Sequence, residues 1–85
     1  MELDCGIACK RIEAWLDNEL SLPREGDAWM FSCDEGSCRV EAVAQESRTL
    51  GTIALERTLV RVEGNPPATE AFMRLFTLRF MSAGG

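Results

Sequence analysis

Histidine and tyrosine are missing from this chain, and lysine occurs once, at Lys10. Without histidine it lacks the commonest general base near neutral pH and the commonest neutral metal ligand. Catalysis would have to rest on cysteine, on a carboxylate of raised pKa, on Lys10 or on a bound cofactor. The sequence therefore points away from an enzyme, and no residue is nominated as catalytic. A phosphate-binding surface needs clustered basic residues. Here the arginines are scattered among acids and the formal net charge is −5. Nucleic acid and anionic membrane are not expected partners. No apolar run approaches the length of a membrane span. Glu2, Asp4, Lys10, Arg11, Glu13, Asp17 and Glu19 also interrupt the apolar core that a signal peptide would need. The expected setting is the cytoplasm, where thiols stay reduced. Gly36, Gly51 and Gly64 each stand alone, so no glycine-rich nucleotide loop is present. Asp34 and Glu35 lack the further alternating oxygen ligands of a calcium loop.

What is present suits one small folded unit over residues 1–85. The chain is 46% hydrophobic and 27% charged, near the globular average. Asp4 can cap a first helix running to about Leu20, with Pro23 and Gly26 beyond its end. At 3.6 residues per turn, Cys5, Ala8, Cys9, Ile12, Leu16 and Leu20 share one face, and Trp15 flanks it. From Ala28 to Cys33 the period becomes two, with Trp29, Phe31 and Cys33 on one side. Asp34-Glu35-Gly36-Ser37 reads as a connection, after which Cys38, Val40, Ala42 and Ala44 alternate with Arg39, Glu41 and Gln45. A four-residue loop would set Cys33 opposite Cys38, Phe31 opposite Val40 and Trp29 opposite Ala42. A third strand follows the turn at Leu50-Gly51-Thr52 and runs to about Glu63. Its best register pairs Val62 with Val40 and Val60 with Ala42, and sets Arg61 against Glu41 and Glu63 against Arg39. A three-residue loop with Gly51 at positive φ gives that offset, and a bulge gives it equally.

Pro67 suits the first turn of a last helix, with Ser82-Ala83-Gly84-Gly85 as its exit. In this helix Ala68, Phe72, Leu75 and Phe76 are expected to share the buried face. Phe76, Leu78 and Phe80 also alternate as a strand would. No turn residue separates them from Thr69–Leu75, which favours helix. The predicted fold is α+β, in the order α-β-β-β-α: a three-stranded antiparallel sheet with two helices packed on one face. The terminal Gly84-Gly85 also resembles the tail of ubiquitin-like sulfur carriers. Those place it after a strand in a β-grasp fold, and a helix exit accounts for it more simply.

Two sets of residues are candidates for function. The first is the apolar set Val43, Ile53, Leu55, Leu59, Leu78 and Met81. The strand members, with Met30, fall on the sheet face away from the helices, and the other two fall off the main helix stripe. Exposed aliphatics in one patch mark a contact surface. The expected function is thus a non-catalytic protein-interaction or regulatory module that associates with itself or with another protein. The second set is Cys5, Cys9, Cys33 and Cys38. Buried small hydrophobes account for them most simply. The alternative is a thiol redox protein, or one binding zinc through four thiolates. Cys33 and Cys38, if directly opposed, would also lie within reach of a disulfide.

Overall fold

The structure is a computed structural model that describes residues 1–81, without the side chain of Arg48. The Gly84-Gly85 tail therefore lies outside the described residues. Strand β1 spans Glu2–Cys5, followed by helix α1 at Cys9–Ala14 and a π-helical turn over Trp15–Glu19. Strands β2 (Arg24–Glu25), β3 (Ala28–Cys33), β4 (Gly36–Leu50) and β5 (Ile53–Gly64) come next, and helix α2 (Pro66–Phe80) closes the order. The sheet is antiparallel and five-stranded, in the order β1-β5-β4-β3-β2. The expected three-stranded sheet is thus corrected by one strand on each side.

The larger correction is at the amino terminus, where a strand replaces the first turns of the expected helix. Asp4 caps nothing; it pairs across the sheet with Leu59. Residues 2–5 satisfy a helical stripe and a two-residue alternation equally, and the long-range partners decide between them. Glu2 meets Arg61 at 2.8 Å, and Asp4 ion-pairs with Arg57. The terminal amine donates to the carbonyl of Val62 at 2.9 Å, and the Val62 amide donates back to Met1 at 2.8 Å. These bonds satisfy an edge of β5 that a helix would have left open.

The β3–β4 turn is tighter than predicted. Asp34 and Glu35 alone form the loop, so Cys33 faces Gly36, Phe31 faces Cys38 and Trp29 faces Val40. The offset is two residues, so every side chain keeps its predicted face. Gly36, at φ 149°, lets Asn65 pack where a Cβ would stand, and Asn65 Oδ1 accepts from the Ser37 amide at 3.2 Å. The β4–β5 register is as expected: Val40 faces Val62, Ala42 faces Val60, Glu41 faces Arg61 and Arg39 faces Glu63. A bulge produces it. Leu50 faces Ile53 across a two-residue Gly51-Thr52 loop with Gly51 at φ 63°, and Glu46 and Ser47 together oppose Glu56.

Both helices pack on the face carrying Val40, Val60 and Val62. Ile12, Leu16, Phe72, Phe76 and these valines are fully or almost fully buried. Each contributes about 1.5–3 kcal/mol by burial. Trp15 ties the two helices together, its ring 5.7 Å from Phe72, 5.9 Å from Phe76 and 5.2 Å from Phe80. Residues 76–80 are helical, as favoured, and Leu75 lies at the rim of α2 and not in its buried stripe. Gly64 has φ 152°, and a Cβ there would fall 2.5 Å from Cα of Cys38. Gly64→Ala is expected to destabilise the fold by about 3 kcal/mol, read as a lowered denaturant midpoint at unchanged slope.

A candidate interaction surface on the long hairpin

β4 and β5 outlast their neighbours. The β3 ladder ends where Trp29 faces Val40, and the β1 ladder ends where Cys5 faces Thr58. Beyond these points the pair continues as a two-stranded arm. Every described residue from 43 to 56 is exposed, whichever face it lies on. The arm gives the molecule its length, with extents of 47 × 32 × 23 Å.

The outer face, away from the helices, reads as rows across β4 and β5. Arg39 faces Glu63 and Glu41 faces Arg61, which also holds Glu2 on β1. Next come Val43 with Leu59, Gln45 with Arg57, Arg48 with Leu55, and at the tip Leu50 with Ile53. The face is therefore charged over the body, while over the arm apolar rows at the root and the tip flank a mixed middle. Val43 and Leu55 are 41% and 42% exposed, and Leu50 and Ile53 are each 61% exposed. Leu59 is half-buried between Val43 and Asp4. Met30, beside Arg39, is half-buried as well.

The predicted apolar set is split by the sheet. Val43, Ile53, Leu55 and Leu59 share the arm's outer face. Leu78 lies on α2 and Met81 just past its end, in the layer behind the sheet, and neither can join them. Both are exposed, and Leu75, one turn before Leu78, is exposed beside them. Sequence reasoning missed Leu50 because its neighbour Gly51 marked it as a turn residue. Its place directly before the Gly51-Thr52 turn, opposite Ile53, was the available signal. Leu75 was missed as a surface residue because its position on the wheel borders the buried face.

The cysteines form two separate groups. Cys5 is buried with its thiol on the Thr58 carbonyl at 3.6 Å, and Cys9 is half-buried with its thiol on the Ala42 carbonyl at 3.6 Å. Ala42 lies just past the last β3 pair, so Cys9 supplies a donor where that strand has ended. Cys38 is buried and Cys33 half-buried, toward the end of the sheet where α2 begins. Thr58 faces Ala44, six residues along β4 from Cys38, a span of about 20 Å. The four thiols do not converge, and no three potential metal ligands cluster among the described residues. Nor are Cys33 and Cys38 directly opposed. They are diagonal neighbours, at about 7–8 Å between Cα atoms, beyond ordinary bridging distance.

A corner cluster not anticipated from sequence joins α1 to β3. The Trp29 indole donates to Asp17 Oδ1 at 2.7 Å, and Arg24 lies over the Trp29 ring at 4.2 Å. Arg24 also approaches Glu13 at 3.8 Å and Asp17 at 4.0 Å. Asp17 sits in the π turn, so this bond anchors the irregular end of the helix to the sheet. A cleft of about 350 Å³ opens beside it, bordered by Asp27 and the β4 segment from Glu41 to Ala44. Another, of about 290 Å³, lies between Cys9, Lys10 and the root of the arm. Burial and the neighbouring Glu13 push the Cys9 thiol pKa up, which disfavours its thiolate form.

No known protein family, curated protein or solved structure matches this chain. Among the described residues no helix is long and apolar enough to cross a membrane.

Burial, reinforced by Cys33, pushes the Cys38 thiol up as well. A raised thiol pKa means that the folded state holds protons which the unfolded state has lost. The resulting stability is full below the unfolded thiol pKa and declines as pH rises through the folded one. Folding stability is expected to fall above about pH 9. Denaturant titrations across that range should show a shallower decline for Cys9→Ala/Cys38→Ala than for the parent chain.

Proposed function

We propose that this chain is a non-catalytic, cytoplasmic interaction or regulatory module that binds a protein surface, its own included, through the outer face of the β4–β5 arm. The observation that carries this reading is the apolar end of an otherwise charged face, on an element with no other evident task. A projecting hairpin is unfavourable for a chain that only needs to bury a core. Two strands alone are marginally stable in water. Leaving Val43, Leu50, Ile53 and Leu55 solvated also forfeits about 25 cal/mol for each Å² of apolar area. Covering that face with another protein recovers the loss. All four cysteines are free, which fits a reducing compartment. The charged rows over the body favour solvent, so they bound the contact and fix its position.

Sedimentation velocity over tens to hundreds of micromolar tests this. The parent chain is expected to associate, and Ile53→Glu to remain monomeric at the same concentrations. Leu78→Glu, on the opposite layer, should associate like the parent. A parent chain that stays monomeric throughout, or an Ile53→Glu variant that associates normally, would contradict the proposal.

A further inference from the structure

On the reading that the arm is the contact surface, we infer that its partner is a second copy of this chain, laid arm on arm and antiparallel about a two-fold axis. The argument lies in the order of the rows. From the tip inward the outer face runs apolar (Leu50, Ile53), then mixed (the Arg48 position with Leu55), then mixed again (Gln45 with Arg57), then apolar (Val43, Leu59). A closed two-fold contact requires a patch that matches itself when reversed. An axis lying between the two faces, perpendicular to the strands and level with the bulge, reverses this order onto itself. Leu50 then meets Val43 of the second copy, and Ile53 meets its Leu59. Leu55 meets Arg57, and the position of Arg48 meets that of Gln45.

The contact of Leu55 gives Arg57 a place in the patch. Arg57 is turned toward β1 by its ion pair with Asp4, so its charge is already met within the chain. Its methylenes remain to cover Leu55 of the other copy. The contact ends where the row of Glu41 and Arg61 begins, since burying that row would desolvate charges.

Pairing along a strand edge is the other way in which two copies could join, and the arm is built against it. Cys9 takes the first free carbonyl of the β4 edge at Ala42, and the bulge at Glu46 and Ser47 breaks the ladder a few residues further on. The free edge of β5 is five residues long and includes Glu56 and Arg57. Face packing avoids these obstacles. The face is small beside the about 800 Å² per partner of a standard interface, so the dimer is a weak one, in the micromolar range.

Charge complementation across the axis tests the arrangement. Ile53→Lys and Leu59→Glu should each weaken association by about a hundredfold, and an equimolar mixture should recover to within about tenfold of the parent chain. In that mixed dimer one Lys–Glu contact forms and the other Ile53–Leu59 contact is native. Because Leu59 is half-buried, Leu50→Lys mixed with Val43→Glu repeats the test at more exposed positions, and circular dichroism confirms that each variant is folded. Should the parent associate and the single variants fail, but neither mixture recover, the two-fold order is overturned while the arm remains the contact surface. Should the parent chain itself be monomeric, both readings fall together.

Discussion

The backbone ladder between β4 and β5 outruns the helices that cover it, and the rest of the molecule follows from that mismatch. Over the body, Val40, Val60 and Val62 are roofed by α1 and α2. Past Ala42 every described residue of the arm up to Glu56 is exposed. The inner residues there are small or polar, namely Thr49, Ala54 and Glu56, whereas the outer positions carry Leu50, Ile53 and Leu55 beside Gln45, Arg48 and Arg57. The distribution inverts the usual one, with the apolar side of the arm facing away from the protein's own core. Folding alone gives no reason for this choice. Contact with another surface gives one.

The charged rows beneath the arm belong to the same design. Exposed ion pairs such as Glu2–Arg61 and Asp4–Arg57 add little to stability. Their effect is on where contact is allowed. They hold β1 in register on β5, and they make the body's outer face expensive to dehydrate. On the proposed reading, a surface that is charged in one half and carries apolar rows in the other would direct a partner to the arm. Association and stability are then linked, since a partner that binds only the folded hairpin stabilises it by mass action.

Much of this was legible in the residues. The phases of β3, β4 and β5 followed from alternation, and the Val40–Val62 register from matching charges outside with branched aliphatics inside. The apolar outer residues were legible too, though not the reason for their exposure, which is that β3 and β1 stop short. That depends on lengths of neighbouring strands, which periodicity does not report. β1 was hidden because four residues can satisfy two periods at once, and only Arg57 and Arg61, more than fifty residues away, decide between them. A single four-cysteine site stayed open as the alternative to burial because sequence gives spacing within a pair and says nothing of the distance between pairs. The two-residue turn at Asp34-Glu35 depended on Asn65 filling the space left by Gly36, another contact between distant positions.

The most direct test of the central claim is a dilution series followed through methyl resonances. If the arm's outer face is a contact surface, the methyl signals of Val43, Leu50, Ile53 and Leu55 shift with concentration, while those of Leu16, Val60 and Val62 in the core stay fixed. Arm signals that are independent of concentration up to the solubility limit, or shifts confined to Leu75, Leu78 and Met81 around the end of α2, would contradict it.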